Sequence, residues 1–511
     1  MSIRPSAGYS ITIRLEIKNE VGMLGRVTSA IGGAGGDIGA VDIVSVAPER
    51  VTRDFTIKAR DEHHGEAVVE ALKAVDGVHV ASVSDRTFLL HMGGKIEIVG
   101  RVPVKTRDDL SMVYTPGVAR VSRAIAEHPE QVHTLTIKRN TVGIVTDGSA
   151  VLGLGNIGPA AALPVMEGKA LLFKALAGLN AFPICLDTQD PDEIVRTVRL
   201  IAPVFGGINL EDISAPRCFK VEEGLIDLGI PVMHDDQHGT AVVVRAGLLN
   251  AAAVVGKRFE DLRVAVCGAG AAGSAIARLL LCRDAQGQDA PGQDAPGKTC
   301  RPVRDLIVCD RGGIIHPARP DLGPAKTDLA SWTNREGRRG SLADAMKDAD
   351  AFIGVSAGGI VSGGMVRSMA GRPIVFALAN PDPEIMPDEA EAAGAAVTAT
   401  GRSDFPNQVN NALAFPGLFK GALDARARRF TPGMFLAASE AIASMIRPDE
   451  RLPDHIIPSI FDRRVTRAVC RAVAHAAQAD GVAARRHRDA ATRTGQPHIA
   501  LWEPDALSRE L

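Results

Sequence analysis

The chain has 511 residues, 46% of them hydrophobic and 23% charged, with a formal net charge of −2; that length asks for roughly two to four domains, and that charge gives no reason to expect nucleic acid or an anionic membrane surface as partner. The amino terminus MSIRPSAGYS lacks the apolar region of a signal peptide, and the most apolar stretch, ALLFKALAGLNAFPICL, is interrupted by Lys174 and Asn180 and cannot cleanly span a bilayer. Seven scattered cysteines, odd in number and without a CxxC pair, are expected to be reduced thiols in a cytoplasmic protein.

Aromatics make up only 4% of the chain, so Ala, Val, Leu and Ile must build the core, which suits an α/β protein. Residues 9–17, YSITIRLEI, alternate as a half-buried strand does. A short helix ending in glycines follows (VGMLGRVTSAIGGAGG), then strands DIGAVDIVSV and RVTRDFTIKA, helix EAVVEALKAV and strand GVHVASVS. The order βαββαβ within about 80 residues is a ferredoxin-like split unit. With Asn19, Val21, Gly22, Met23 and Leu24 at its first strand-to-helix turn, the segment resembles the ACT domain. That resemblance implies a regulatory module binding an amino acid between copies, through Asn19, Gly22, Met23 and Leu24. A dimerisation module without a ligand is the alternative.

From about residue 100 to 250, strands and helices alternate: TVGIVTD, LPVMEGKALLFKALAGL, FPICLD, PDEIVRTVRLIAPVF, GGINLEDI and VEEGLIDLGIPVMHDD. Such alternation predicts a parallel sheet covered by helices. A second alternating block begins near residue 260 with its own glycine-rich opening, and helical patterning dominates from 410 to about 480. The expected units are therefore 1–88, 95–250, 251–480 and a loose tail, 481–511. The tandem repeat of GQDAP between Gly287 and Pro296 cannot bury a core and reads as a flexible surface insertion.

GxGxxG occurs twice. In GLGNIG (Gly153–Gly158) the following Pro159 and Pro164 are expected to delay the helix, which argues against a phosphate-binding turn there. GAGAAG follows the strand-like LRVAVC and opens the helix SAIARLLL. In it Gly268, Gly270, Ala271, Ala272 and Gly273 form a dinucleotide-binding turn, whose glycines let the pyrophosphate approach a helix N-terminus. Asp310, at the end of DLIVCD, lies 37 residues after Gly273; removing about 18 residues around the GQDAP repeat restores the usual spacing to the ribose-binding acid. Asp310 would accept from both ribose hydroxyls and repel a 2′-phosphate. It favours NAD, with NADP the second candidate because Arg311 stands beside it. Ser356, in the loop of AFIGVSAGG, and Asn380, at the end of IVFALAN, are candidates to face the cofactor, and Asn380 also the substrate.

The carboxylates of INLEDI (Glu211, Asp212) and of HDDQHGT (Asp235, Asp236) end two strands of one sheet and can converge at its carboxyl edge. So many carboxylates together require a cation or a lysine. Oxygen donors suit Mg²⁺ or Mn²⁺; His234 and His238 raise zinc, but no HxH or HExxH spacing supports it. Lys169, on an apolar helix with Leu163, Val165, Met166, Leu171 and Leu172, is the compensating lysine, and burial is expected to lower its pKa towards that of a neutral-pH base.

The ordered set MVYTPGVA, VLGLGNIG, MEGKALLFK, INLEDI, HDDQHGTA, GAGAAG and NQVNNALAFPG closely resembles the malic enzymes, particularly the shorter bacterial form, over roughly residues 95–470. The resemblance implies oxidative decarboxylation of malate to pyruvate with reduction of NAD. It implies Tyr114 as general acid, Lys169 as general base supported by Asp235, and a divalent ion on Glu211, Asp212 and Asp236. Asn380, Asn410 and Asn411 match asparagines that contact substrate or nicotinamide, and a homo-oligomer is expected. One departure is that Ser149-Ala150 stands where larger members carry an arginine that grips malate. Two rival readings are an amino-acid dehydrogenase, suggested by the ACT-like segment, and a non-catalytic metabolite sensor; the three-carboxylate set argues against the first and the intact Tyr114 and Lys169 against the second.

Overall fold

The computed structural model of the chain describes residues 6–151, 153–283 and 300–484. At the amino-terminal end β1 (Ser6–Lys18), β2 (Asp37–Val46), β3 (Arg50–Ala59) and β4 (Val78–Asp85) form an antiparallel sheet of order β2-β3-β1-β4. The alternation of Ile13, Leu15 and Ile17 puts these side chains on one face, where they pack on Met23, Val27 and Ile31 of the helix Met23–Gly33 and on Val68 and Leu72 of the helix Glu62–Lys73. Asp61 caps the second helix by accepting from the His64 N–H. Gly36 sits where a Cβ would lie 2.9 Å from Ile31, so the close helix–strand turn excludes any side chain. This is the expected βαββαβ unit.

Short helices Arg86–His91, Arg107–Val113 and Val118–Glu127 follow, none of which buries a residue. The next sheet is fully parallel, of order β6-β5-β7-β8, from β5 (Thr141–Thr146), β6 (Asn180–Cys185), β7 (Gly207–Leu210) and β8 (Val232–His234). The third sheet, of order β11-β10-β9-β12-β13-β14, is parallel except where β10 and β11 pair. Its strands are β9 (Arg263–Cys267), β10 (Asp305–Asp310), β11 (Gly313–Ile314), β12 (Ala351–Gly354), β13 (Ile374–Ala377) and β14 (Val397–Thr400). One continuous apolar core joins the two parallel sheets. Its axis is the helix Asp235–Val254, buried along most of its length, against which the helices Phe415–Ala425, Pro432–Ala443 and Arg463–Ala479 gather. Helices therefore cover parallel strands as the alternation predicts, and both sheets point their carboxyl edges at the same cleft.

Three expectations are corrected. The helix after GLGNIG is not delayed: it runs Pro159–Ala177 with Pro159 in its first turn, because the fixed φ of proline suits that position, where no N–H is needed. Leu163 and Leu171 are exposed rather than packed around Lys169; the buried face of the helix is Ala162, Met166, Lys169, Ala170 and Phe173. The cysteines are not all thiols, since Cys282 and Cys300 form a disulfide, with Cys185, Cys218, Cys267, Cys309 and Cys470 free. The GQDAP repeat that those two cysteines bracket, and most of the tail 481–511, lie outside the described residues.

Candidate active site

Lys169 points from the middle of its helix into the carboxyl edge of the sheet β6-β5-β7-β8, with a side chain only 6% exposed. Its Nζ donates to Glu211 Oε2 and to Asp235 Oδ2, both at 2.5 Å, and stands 4.5 Å from the centroid of the Phe415 ring. Phe173 and Phe415 pack with ring centroids 4.7 Å apart and close the apolar side of the pocket. Burial alone would push the lysine towards the neutral amine, as the sequence suggests. Asp235, Glu211 and Asp236 outweigh it and hold the ammonium well above its ordinary range. The expected lowering is thus reversed by three carboxylates on a single cation.

The adjoining donors are Glu211, Asp212 and Asp236, whose carboxylate oxygens lie within 4.8 Å of one another. Glu211 and Asp212 leave the end of β7, and Asp236 lies in the first turn of the helix that follows β8. Asp212 adopts φ 52°, a left-handed conformation that turns its carboxylate back towards Asp236, while its N–H donates to Asp236 Oδ2 at 2.9 Å. Asp212 Oδ2 is buried without a hydrogen-bond partner. Burial, then repulsion from Asp236 and Glu211, pushes Asp212 up to about 9; Glu211 and Asp236 are raised as well, burial leading in both. An orphaned buried oxygen and three carboxylates displaced from their ionised state are what a divalent hard cation relieves. The donor set fits Mg²⁺ or Mn²⁺.

A supporting layer escaped the sequence reading. Glu222 accepts from the His234 N–H, from Gln237 Nε2 and from His238 Nε2, the last at 2.9 Å; burial raises its carboxyl, but His238 brings it below its ordinary value. His238 also stacks on Phe435 with centroids 4.5 Å apart. Burial pushes His234 down to about 4, leaving it neutral. His238 is thus engaged in holding the strand-to-helix turn that carries Asp235 and Asp236, whereas both ring nitrogens of His234 are buried without a hydrogen-bond partner and its Nε2 lies 3.8 Å from Asp236 Oδ2. On the opposite rim Asp147, fully buried, accepts from the Ser149 hydroxyl at 2.6 Å and faces Arg217 at 3.5 Å. The Arg217 Nε is buried and unpartnered, and Arg217 opens the helix Arg217–Glu223, which begins a few residues after Glu211-Asp212.

In the second half, the turn Gly268–Gly273 leads from β9 into the helix Ala271–Leu280. Gly268 takes φ 116° against the Val355 carbonyl, and a Cβ on Gly273 would lie 1.7 Å from the Gly268 oxygen. Here glycine is required by close approach. Asp310 ends β10 but is not free: Arg319 Nη1 donates to it at 2.7 Å and Lys326 Nζ at 2.5 Å. Burial raises its carboxyl, and these two cations bring it below the usual carboxylate range. Ser356 follows β12, where Glu384 accepts from its N–H at 2.9 Å. Asn380 follows β13 and is exposed to the cleft, and a Cβ on Gly153 would lie 2.3 Å from its carbonyl oxygen. The first glycine motif therefore lets one half of the molecule approach the other.

Asn411 donates to Asp235 Oδ2 at 2.6 Å, while Asn410 caps the turn below by accepting from the Ala412 N–H. Tyr114 is not brought to this cluster; its ring is 67% exposed. In the amino-terminal unit Asn19 donates to the Ala47 carbonyl and Gly22 starts the first helix at φ 89°. Leu24 is exposed there and Met23 is part of the core.

The chain matches the family models for the malic enzyme N-terminal domain over residues 93–226, the malic enzyme NAD binding domain over residues 237–478 and the ACT domain over residues 5–82. It is 52% identical over 497 residues to an NAD-dependent malic enzyme of Geobacillus stearothermophilus, covering 97% of this chain and all of that one. It is 53% identical over 392 residues, 76% of this chain and 91% of the other, to a bifunctional malic/malolactic enzyme of Bacillus subtilis. The crystal structure of the NAD-dependent malic enzyme of Thermotoga maritima superposes with a TM-score of 0.70 at 46% identity, covering 76% of this chain and 99% of that one. The carboxylate site, the glycine turn and these likenesses agree: the chain belongs to the malic enzymes, oxidoreductases that decarboxylate malate, here with an NAD-binding domain and an amino-terminal ACT domain in one polypeptide.

Proposed function

We propose that the site formed by Lys169, Glu211, Asp212, Asp235 and Asp236 carries out the oxidative decarboxylation of (S)-malate to pyruvate, and that the observation carrying this reading is Lys169 Nζ clamped between Glu211 and Asp235 beside a three-carboxylate cluster. A divalent cation on Glu211, Asp212 and Asp236 would supply Lewis acidity to the C2 oxygen and C1 carboxylate of malate. Lys169 takes the proton of the C2 hydroxyl as hydride leaves C2. It can do so because charge on the three carboxylates is what keeps it protonated; where that charge is compensated, burial among Met166, Phe173 and Phe415 favours the neutral amine. Asp235, steadied by Asn411, orients Lys169, and Tyr114 returns a proton to C3 after CO₂ departs. Arg217, with an unpartnered Nε at the cleft rim, holds the second malate carboxylate in place of the missing arginine at Ser149-Ala150.

The nicotinamide dinucleotide lies along Gly268, Gly270, Ala271, Ala272 and Gly273, with Asp310 at the ribose and Ser356 and Asn380 near the nicotinamide. NAD is the expected substrate, although Lys326 and Arg319 around Asp310 leave room for NADP. Asn380 and Asn410 complete the substrate pocket. The units 1–88, 95–250, 251–480 and 481–511 divide the labour into regulation, metal and substrate, cofactor, and tail. An amino acid at Asn19, Gly22, Met23 and Leu24 is the effector we expect, and the cytoplasm is the compartment we expect. Initial rates with L-malate and Mn²⁺, comparing NAD⁺ with NADP⁺ and assaying pyruvate with reduced cofactor, test the reading. Equal pyruvate and NADH, abolished by EDTA, is the expected result; reduced cofactor without pyruvate would remove the decarboxylation step.

A further inference from the structure

Glu384 is a fully buried carboxylate in the segment that follows β13. Its Oε1 accepts from the Ser356 N–H at 2.9 Å and stands 3.5 Å from the Ser356 hydroxyl, and its Oε2 accepts from the Ala379 N–H at 3.1 Å. One oxygen therefore serves the loop after β12 and the other the loop after β13. Burial raises the carboxyl, and the two N–H groups act against that rise.

The backbone is shaped around this carboxylate. A Cβ on Gly354, the last residue of β12, would lie 2.3 Å from Glu384 Cδ, so the strand end rests directly on the carboxyl group and no side chain fits there. Further along, the Glu384 carbonyl accepts from the Val361 N–H at 2.9 Å and the Pro383 carbonyl from the Gly359 N–H at 3.0 Å. The same β12 loop leans on the glycine turn: Ser356 Oγ is 3.3 Å from Cys267 Sγ, and a Cβ on Gly268 would lie 2.6 Å from the Val355 carbonyl oxygen. What this buried strut holds is itself open, since Ser356 and Asn380 are both exposed. Two converging N–H groups need two acceptors, which a carboxylate supplies. A glutamine of the same shape has one acceptor, and its NH₂ would face the other N–H.

We propose that Glu384 is a positioning residue for the nicotinamide end of the cofactor: by accepting from the N–H groups of Ser356 and Ala379 it fixes the separation of the two loops that present Ser356 and Asn380. It acts through those loops and not on the glycine turn or on Asp310, where the pyrophosphate and the adenosine ribose are held. The inference rests on the reading of Ser356 and Asn380 as residues facing the nicotinamide.

The test compares two ligands by calorimetric titration of the full-length protein. NADH carries the nicotinamide ring; ADP-ribose lacks it but keeps the adenosine, the pyrophosphate and the second ribose. In Glu384→Gln the Kd of NADH should rise roughly tenfold or more, the scale of a lost charge-assisted hydrogen bond, while the Kd of ADP-ribose stays near wild type. Glu384→Asp keeps both acceptors but draws them back by one methylene; it should also weaken NADH selectively, and it decides the matter if Glu384→Gln does not fold. An unchanged Kd for NADH would overturn the proposal, and so would equal weakening of both ligands, which is what general damage to the domain produces. Wild-type protein that binds neither NADH nor ADP-ribose would overturn the cofactor reading itself, an outcome visible before any variant is made.

Discussion

Asp235 Oδ2 is shared between Lys169 Nζ at 2.5 Å and Asn411 Nδ2 at 2.6 Å. One oxygen therefore couples the lysine helix, the strand-to-helix turn after β8 and the asparagine pair more than 170 residues away in sequence. Asn411→Ala leaves that oxygen with one donor and frees the carboxylate to rotate away from Lys169. We expect kcat for malate to fall about 10- to 100-fold, the usual effect of losing a partner that orients a reacting group, with little change in KM. An unchanged kcat would show that Lys169 alone orients Asp235.

Glu211, Asp212 and Asp236 repel one another in the absence of a cation, so binding one should stabilise the fold. At a Mn²⁺ concentration about 100 times Kd the gain is about 2.7 kcal/mol. Melting followed by circular dichroism should show the midpoint rise with Mn²⁺ and return with EDTA. Asp236→Asn should abolish the rise while raising the midpoint of the metal-free protein, because it removes one of the clustered charges. A rise that survives the substitution would place the ion elsewhere.

The same cluster sets a pH dependence for the metal-free protein. Asp212 moves from 3.8 to about 9 on folding, burial first and the neighbouring carboxylates second. Above pH 3.8 the unfolded chain gives up a proton that the folded chain still holds, so stability declines as pH climbs towards 9. Melting temperatures measured with EDTA should fall across that window, and the slope should flatten in Asp212→Asn. A flat profile in the unsubstituted protein would mean that Asp212 is ionised in the fold.

Arg217 offers its guanidinium at the rim with Asp147 as its only ion-pair partner among the described residues. Arg217→Gln should raise KM for malate roughly tenfold or more, the effect of losing a charge-assisted hydrogen bond. Inhibition by oxalate, which needs only the chelating end of the site, should stay near wild type, and Arg217→Lys should recover part of the loss. Equal weakening of malate and oxalate would assign Arg217 to the metal site instead.

Asp310 is held by Arg319 and Lys326. Lys326→Ala removes a cation that a 2′-phosphate would seek and releases one carboxylate oxygen for the ribose. The ratio of kcat/KM for NAD⁺ over NADP⁺ should rise, whereas Asp310→Ala should lower it. Unchanged ratios in both would take cofactor choice away from this strand end.

Local pattern sufficed for much of this protein. The alternation of Ile13, Leu15 and Ile17, the βαββαβ order and the strand–GAGAAG–helix passage follow from periodicity and from glycine's backbone freedom, which act over a few residues. The pairing of INLEDI with HDDQHGT was legible for a similar reason, since both end strands of one parallel sheet. Three-dimensional packing decided the rest. Lys169 reads as a lowered, basic amine from its apolar helix, yet Asp235, Glu211 and Asp236 reverse the shift, because charge–charge energies in a buried site depend on distances that sequence does not carry. Arg217, Glu222 and His238 took their places only once β7, β8 and the helix Asp235–Val254 met. Tyr114 is the sharpest case: its identity was readable from the residues around it, while its exposure, in contrast to the burial of Lys169, emerges only when the chain is folded.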